Sequence, residues 1–313
     1  MEKLKFALYW AASCGGCEIA VLDIDEKILD VVGLADIVFW PVAMDIKYSD
    51  VEAMPDKSID VTLFNGAIRT EENEHMAKLL RQKSKVLVAF GSCAHEGCVI
   101  GLANLWDRKN VFQRAYVETP STDNPEKVFP TTSLSVEEGD LTLPEFYDTL
   151  KTLDQTVEVD YYIPGCPPQP EWILKAVEAI ATNQLPPKGS VIGPTKSICD
   201  ECPREKKDRQ LTKINRIYEI DDDGETCFWD QGVVCMGPAT RAGCNAQCLS
   251  ANMPCTGCQG PGPGVPEQGA AILSAVSSIA VNDDVLDQIV DPIGSFYKFS
   301  LPHSILGRRR LKQ

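Results

Sequence analysis

The residues in this chain best suited to chemistry are its cysteines. There are thirteen, and they are grouped rather than scattered. Cys14, Cys17, Cys93 and Cys166 lie far apart in the chain. Cys199, Cys202, Cys227, Cys235, Cys244, Cys248, Cys255 and Cys258 share one stretch of 60 residues, and Cys98 is left over. Four thiolates hold a cubane 4Fe–4S cluster, so twelve suit three such clusters. A chain arranged this way moves electrons. Zinc competes for the later stretch, because its two C-x-x-C pairs could form one four-thiolate site. That choice leaves Cys227, Cys235, Cys244 and Cys248 unexplained, and the first group as well. Gly91-Ser-Cys-Ala-His95 invites a nucleophile at Cys93. However, no third partner for His95 is evident, and the thiolate is better used on iron.

Positioning such distant residues requires a particular scaffold. Leu4–Trp10, Ala35–Trp40, Ile59–Phe64, Lys85–Phe90 and Val157–Ile163 read as strands. Helical patterns over Glu18–Val32, Glu71–Lys83 and Gln169–Thr182 alternate with them, which predicts a parallel sheet covered on both faces. Cys14 and Cys17 then follow the first strand, Cys93 follows the fourth and Cys166 the fifth. All four sit beyond the carboxyl ends of strands, the edge where open α/β sheets bind ligands. Residues 79 and 152 positions apart can therefore meet at one site.

Residues 103–156 form an insert without cysteine, read as a surface excursion with some helix. Gln184 to Ser190 and Gly193-Pro194 read as a linker. This divides the chain into a first domain, 1–185, and a cysteine-rich second domain, 186–313. Regular periodicity in the second domain returns only at Glu267–Val281, so its clusters are expected to organise it, with metal binding coupled to folding. Cys98 completes no set and reads as a small buried thiol. Glu18, next to Cys17, could take part in proton movement, but the plainer reading is a solvated or helix N-terminal carboxylate.

Composition excludes other classes. A formal net charge of −15 argues against nucleic acid, which selects basic faces. No apolar run approaches the roughly 18 residues of a membrane helix, and none of the flanks of a cleavable signal precede Leu4. A cytoplasmic location is expected, where disulfides are disfavoured and clustered cysteines point to metal. The basic tail Arg308–Lys312 reads as a solvated end or one docked on an acidic neighbour. No nucleotide fingerprint occurs, and the prolines of Gly260-Pro-Gly-Pro-Gly264 remove the amide donors a phosphate loop needs.

The motifs Cys14-Gly-Gly-Cys17, Gly91-Ser-Cys-Ala94 and Gly165-Cys-Pro-Pro168 resemble the proximal-cluster motifs of nickel–iron hydrogenase small subunits. Cys199-Asp-Glu-Cys-Pro-Arg204, Cys227 and Cys235-Met-Gly-Pro-Ala-Thr240 resemble that family's distal-cluster motifs. Cys244 with Pro254-Cys-Thr-Gly-Cys258 resembles its medial motif. Many relatives have histidine where Cys199 stands and proline where Cys248 stands, the latter with a 3Fe–4S medial cluster. With cysteine at both positions and no twin-arginine leader, the chain resembles the cytoplasmic methyl-viologen-reducing, deazaflavin-non-reducing type that associates with heterodisulfide reductase in methanogenesis.

The resemblance implies a flavodoxin-like first domain and a small irregular iron–sulfur domain. It also implies a proximal 4Fe–4S cluster on Cys14, Cys17, Cys93 and Cys166, a medial one on Cys244, Cys248, Cys255 and Cys258, and a distal one on Cys199, Cys202, Cys227 and Cys235. No residue of this chain would be catalytic, since nickel and iron would reside in a separate large subunit. Electrons from dihydrogen would pass along the three clusters to a redox partner, through an iron–sulfur adapter subunit to heterodisulfide reductase. A deazaflavin-reducing hydrogenase and a regulatory hydrogen sensor are the alternatives nearest to this reading. A respiratory quinone-reductase subunit shares only the first-domain logic.

Overall fold

The computed structural model describes residues 3–207 and 210–306. The basic tail therefore lies outside the described residues. Nine strands occur among those described: β1 Leu4–Trp10, β2 Ala35–Phe39, β3 Ile59–Asn65, β4 Ile68–Thr70, β5 Ser84–Phe90, β6 Ser133–Val136, β7 Gly139–Thr142, β8 Phe146–Lys151 and β9 Tyr161–Ile163. Five of them form the main sheet in the order β2-β1-β3-β5-β9, every neighbouring pair parallel. This is the doubly wound, flavodoxin-like order, with its switch point between β1 and β3.

Alternation along the strands fills two cores, since successive side chains point to opposite faces. Ala7, Tyr9 and Phe64 pack on one face with Met76, Ala77 and Leu80 of helix Glu71–Lys83. Phe6, Leu8, Leu63 and Val88 pack on the other with Ala20 and Val21 of helix Gly16–Leu22, and with Ile173 and Ala176 of helix Pro170–Ala181. Helix Glu71–Lys83 begins at an N-cap, Thr70, whose hydroxyl accepts from the Asn73 amide at 3.3 Å. Glu71, Glu72 and Glu74 lie in its first turn and Arg81 and Lys83 in its last, the charge order its dipole favours.

Three expectations are corrected here. The single helix expected over Glu18–Val32 is two, Gly16–Leu22 and Ile28–Leu34, joined by a short 3₁₀ turn. Asp25 stands in the left-handed region (φ 55°) and breaks the run, a conformation that Asp tolerates better than most residues. The last strand of the sheet is shorter than Val157–Ile163. Residues preceding it form a turn, with the Val157 amide donating to the Leu153 carbonyl at 2.9 Å. The segment expected as a linker is paired: the Tyr162 amide donates to Ser190 O and the Ile192 amide to Tyr162 O, at 3.2 and 2.8 Å, alongside β9.

The insert is a surface excursion, as expected. It carries helix Arg108–Gln113 and the hairpin β6–β7, all of whose residues are exposed, and returns through β8, which pairs antiparallel with β4. The cysteine-rich region has few regular elements, yet it buries more than expected. Ile198, Phe228, Trp229, Met236, Ile272 and Phe296 belong to an apolar cluster that includes helix Gln268–Ile279. That region therefore has a core of its own, into which its cysteines are set.

Candidate iron–sulfur centres

The carboxyl edge of the main sheet gathers the first cysteine group. After β1 the chain turns through Gly15 (φ 79°), and Cys17 enters helix Gly16–Leu22. After β5, Gly91 (φ 82°) leads into helix Ser92–Glu96, which carries Cys93. The Gly91 amide donates to Ile163 O and the Ser92 amide to Gly165 O, both at 2.8 Å, drawing the Cys166 loop against the Cys93 loop. A Cβ on Gly91 would stand 2.3 Å from Cys17 Sγ, so only glycine leaves room for that sulfur. Burial, then the neighbouring Cys166 and Cys14, push the Cys17 thiol far above its ordinary pKa. Residues distant in sequence thus share one site.

Cys98 belongs to the same neighbourhood. Its Sγ lies 3.6 Å from Cys166 Sγ, and it packs against Cys93. It is a small buried thiol, as expected, but one packed among the other thiols.

The cysteines of the second stretch also neighbour one another. Burial, then Cys244, Cys166 and Cys248, raise the Cys258 thiol to about 12. Cys244 is raised by burial, with Cys248 among its charged neighbours. Burial raises the Cys255 thiol most, followed by Cys235, with Cys258 a smaller neighbour. Burial also lifts Cys235 to about 12, with Cys199 and Cys227 adding to it. A Cβ on Gly237 would meet Cys199 Sγ at 3.1 Å and Cys235 Sγ at 3.5 Å. Cys202 is near enough to act electrostatically on Arg204.

Sequence reasoning passed over Arg204, the main organiser of this region. Its buried guanidinium holds Asp222 with two bonds, at 2.8 and 2.6 Å, and donates to Thr226 O at 2.8 Å and Asn252 Oδ1 at 3.0 Å. It also lies 3.9 Å over the Phe228 ring. One side chain thus ties the Cys202 turn to the residues flanking Cys227 and to the loop after Cys248. The clue in the sequence was an arginine directly after Cys202-Pro203, where a planar five-donor group can satisfy several loops at once.

Two contacts join these neighbourhoods. Ser92 Oγ donates to Cys258 O at 2.8 Å, and Cys166 is among the groups that raise the Cys258 thiol. The Met236 amide donates to Cys255 O at 2.9 Å, where Cys235 and Cys255 are neighbours.

The donor set fits iron–sulfur clusters. Buried thiols that raise one another's pKa need a strong local cation to remain thiolates, and coordinated iron supplies one. A four-iron cubane takes one thiolate at each of four irons, so its ligands stand apart.

The alternatives for neighbouring residues are settled by burial. Burial drives His95 down to about 3, and its ring packs 4.7 Å from Tyr162, so it is a poor base for Cys93. His75 and His303 face Glu52 and Asp154, not the second-domain cysteines. Glu18 does lie in a first helical turn, but it is buried rather than solvated. Burial raises its carboxyl to about 7, and the Trp40 indole donates to it at 2.5 Å.

Comparison with known proteins agrees with this architecture. The family model for the NADH ubiquinone oxidoreductase 20 Kd subunit matches residues 14–180, the sheet domain alone. An F420-non-reducing hydrogenase iron-sulfur subunit of Archaeoglobus profundus is 43% identical over 319 aligned residues, covering 99% of each chain. An F420-non-reducing hydrogenase subunit of Methanothermobacter thermautotrophicus is 36% identical, covering 100% of this chain and 99% of its own. In fold, a chain of the [NiFeSe] hydrogenase from Desulfovibrio vulgaris Hildenborough superposes with a TM-score of 0.50 at 18% identity, covering 83% of this chain and 94% of that one. The chain belongs to the family of F420-non-reducing hydrogenase iron-sulfur subunits, the small subunits of these hydrogenases.

Proposed function

We propose that this subunit carries electrons between a dihydrogen-splitting large subunit and a redox partner, using three 4Fe–4S clusters. Cys14, Cys17, Cys93 and Cys166 would hold the proximal cluster. Cys244, Cys248, Cys255 and Cys258 would hold the medial cluster, and Cys199, Cys202, Cys227 and Cys235 the distal one. When bound, these clusters supply one-electron carriage, and nickel–iron chemistry stays in the large subunit.

The observation that supports this reading is that thiols from different parts of the chain neighbour one another. Cys166 neighbours Cys258, and Cys235 neighbours Cys255. The chain's own residues hold these neighbourhoods together. Ser92 binds the Cys258 backbone, Met236 binds the Cys255 backbone, and Arg204 fixes the distal loops. Gln268, itself buried, donates to the carbonyls of Gly257 and Gly260 at 3.0 and 3.1 Å and steadies the medial loop. Cys17, Cys93 and Cys235 are buried, whereas Cys14, Cys166 and Cys248 are exposed, so solvent exposure, one of the factors that set potential, differs among the ligands.

The acceptor we infer is heterodisulfide reductase, reached through an iron–sulfur adapter subunit in the cytoplasm. Among the described residues no helix is long and apolar enough to cross a membrane. Native co-purification under anaerobic conditions, with subunits identified by mass spectrometry, tests this assignment. The expected result is a large hydrogenase subunit together with the adapter and heterodisulfide reductase. Recovery with a deazaflavin-reducing flavoprotein, or with a signalling kinase in place of the reductase, would contradict the acceptor.

A further inference from the structure

We propose that Cys98 is a reserve ligand of the proximal site, poised to take the iron of Cys166 when that thiolate lets go. The inference rests on the proximal assignment above. Five thiols, not four, occupy this site, and the fifth is as near as a neighbour can be without a bond: Cys98 Sγ to Cys166 Sγ is 3.6 Å. Cys166 is exposed and Cys98 is buried, so the more accessible ligand has the protected thiol beside it.

The fold fixes Cys98 in place from a distant part of the chain. The Cys98 amide donates to Phe299 O at 2.9 Å. Gly97 and Gly101 lie against Pro302 so closely that a Cβ would stand 2.3 and 2.2 Å from its ring. Cys98 itself has φ 52° and ψ −163°, a backbone conformation that non-glycine residues rarely adopt. It belongs to a packed cluster with Cys93 and Phe299, against which Cys258 also packs.

The exchange balances without an oxidant. The iron–sulfur bond to Cys166 breaks and one to Cys98 forms. The proton released by the Cys98 thiol is taken up by the Cys166 thiolate, and no electron moves. Each of the four irons keeps one protein thiolate, and the charge of the site is unchanged.

The test uses the chain co-produced with its large subunit, in four forms: parent, Cys98→Ala, Cys166→Ala and the double variant. Iron content and electron paramagnetic resonance of the reduced protein are read together, and the medial and distal signals report correct folding. Parent and Cys98→Ala should each hold about twelve irons, from four per cluster. Cys166→Ala should keep a proximal four-iron signal of altered shape, and the double variant should lose it. Equal loss in Cys166→Ala and the double variant, or equal retention in both, overturns the reserve role. A parent without a proximal signal overturns the proximal assignment itself, and the inference with it. Should Cys166→Ala fail to accumulate, iodoacetamide treatment of the loaded parent decides. Alkylation of Cys166 with the proximal signal intact supports the exchange, and loss of that signal in step with labelling overturns it.

Discussion

At the scale of single residues, the proposed medial site turns on Cys248, whose thiolate would decide between four irons and three. It stands in the first turn of the short helix Gln247–Ser250, where proline fits the backbone because the amide there has no helical acceptor. Cys248→Pro therefore removes a thiolate with little damage to the helix. The iron deprived of its ligand is the one most easily lost, so the oxidised variant should show a new 3Fe–4S resonance while the other two clusters persist. Its medial potential should rise, which slows delivery to a low-potential acceptor more than to a high-potential dye. An unchanged four-iron medial cluster would mean that Cys248 is not its ligand. That Cys14, Cys17, Cys93 and Cys166 come to one sheet edge could be read from spacing and strand order alone. The position of Cys98 could not, because nothing local to Gly97-Cys98-Val99 reveals the clamp made by Phe299 and Pro302.

At the scale of elements, the weakest seam of the main sheet is its edge strand β9, three residues long. Asp160 reinforces it. Its buried carboxylate accepts from the Leu87 amide at 2.8 Å and pairs with Arg81 at 2.6 Å and Lys188 at 2.5 Å. Burial alone would raise its pKa, but the bonds from Arg81 and Lys188 outweigh it and hold the carboxyl below the ordinary carboxylate range. A depressed native pKa gives stability that is fully present above the unfolded value, about 3.9. It is lost as pH falls through the lower native value. Asp160→Asn should cost on the order of 3 kcal/mol near neutral pH, because it leaves the largely buried Arg81 guanidinium without its partner. It should also flatten the loss of stability below about pH 4, the ordinary Asp range. Denaturant titrations of parent and variant across that range check both effects, and parallel acid profiles would show that Asp160 carries no pH linkage. Composition overstated this strand for a local reason. Val157–Ile163 has the β-branched and aromatic residues of a strand, but the turn closed by Leu153 and Val157 occupies its first half.

At the scale of the whole molecule, the parallel sheet was legible because five apolar runs alternate with helical patterns and four cysteines follow strand ends. The core of the cysteine-rich region was not. Phe228, Trp229 and Phe296 lie in a stretch with little periodicity, and only long-range packing reveals that they belong to one cluster. The central claim is that this subunit is the wire and the large subunit the catalyst. The measurement that tests it most directly is reduction of the cluster-loaded chain, alone and with its large subunit, followed by iron analysis and electron paramagnetic resonance. The account predicts about twelve irons per chain, four for each of three clusters. Dithionite should reduce the isolated chain, and dihydrogen should reduce it only when the large subunit is present. Hydrogen-dependent reduction of the purified single chain, or about four irons in place of twelve, would contradict it.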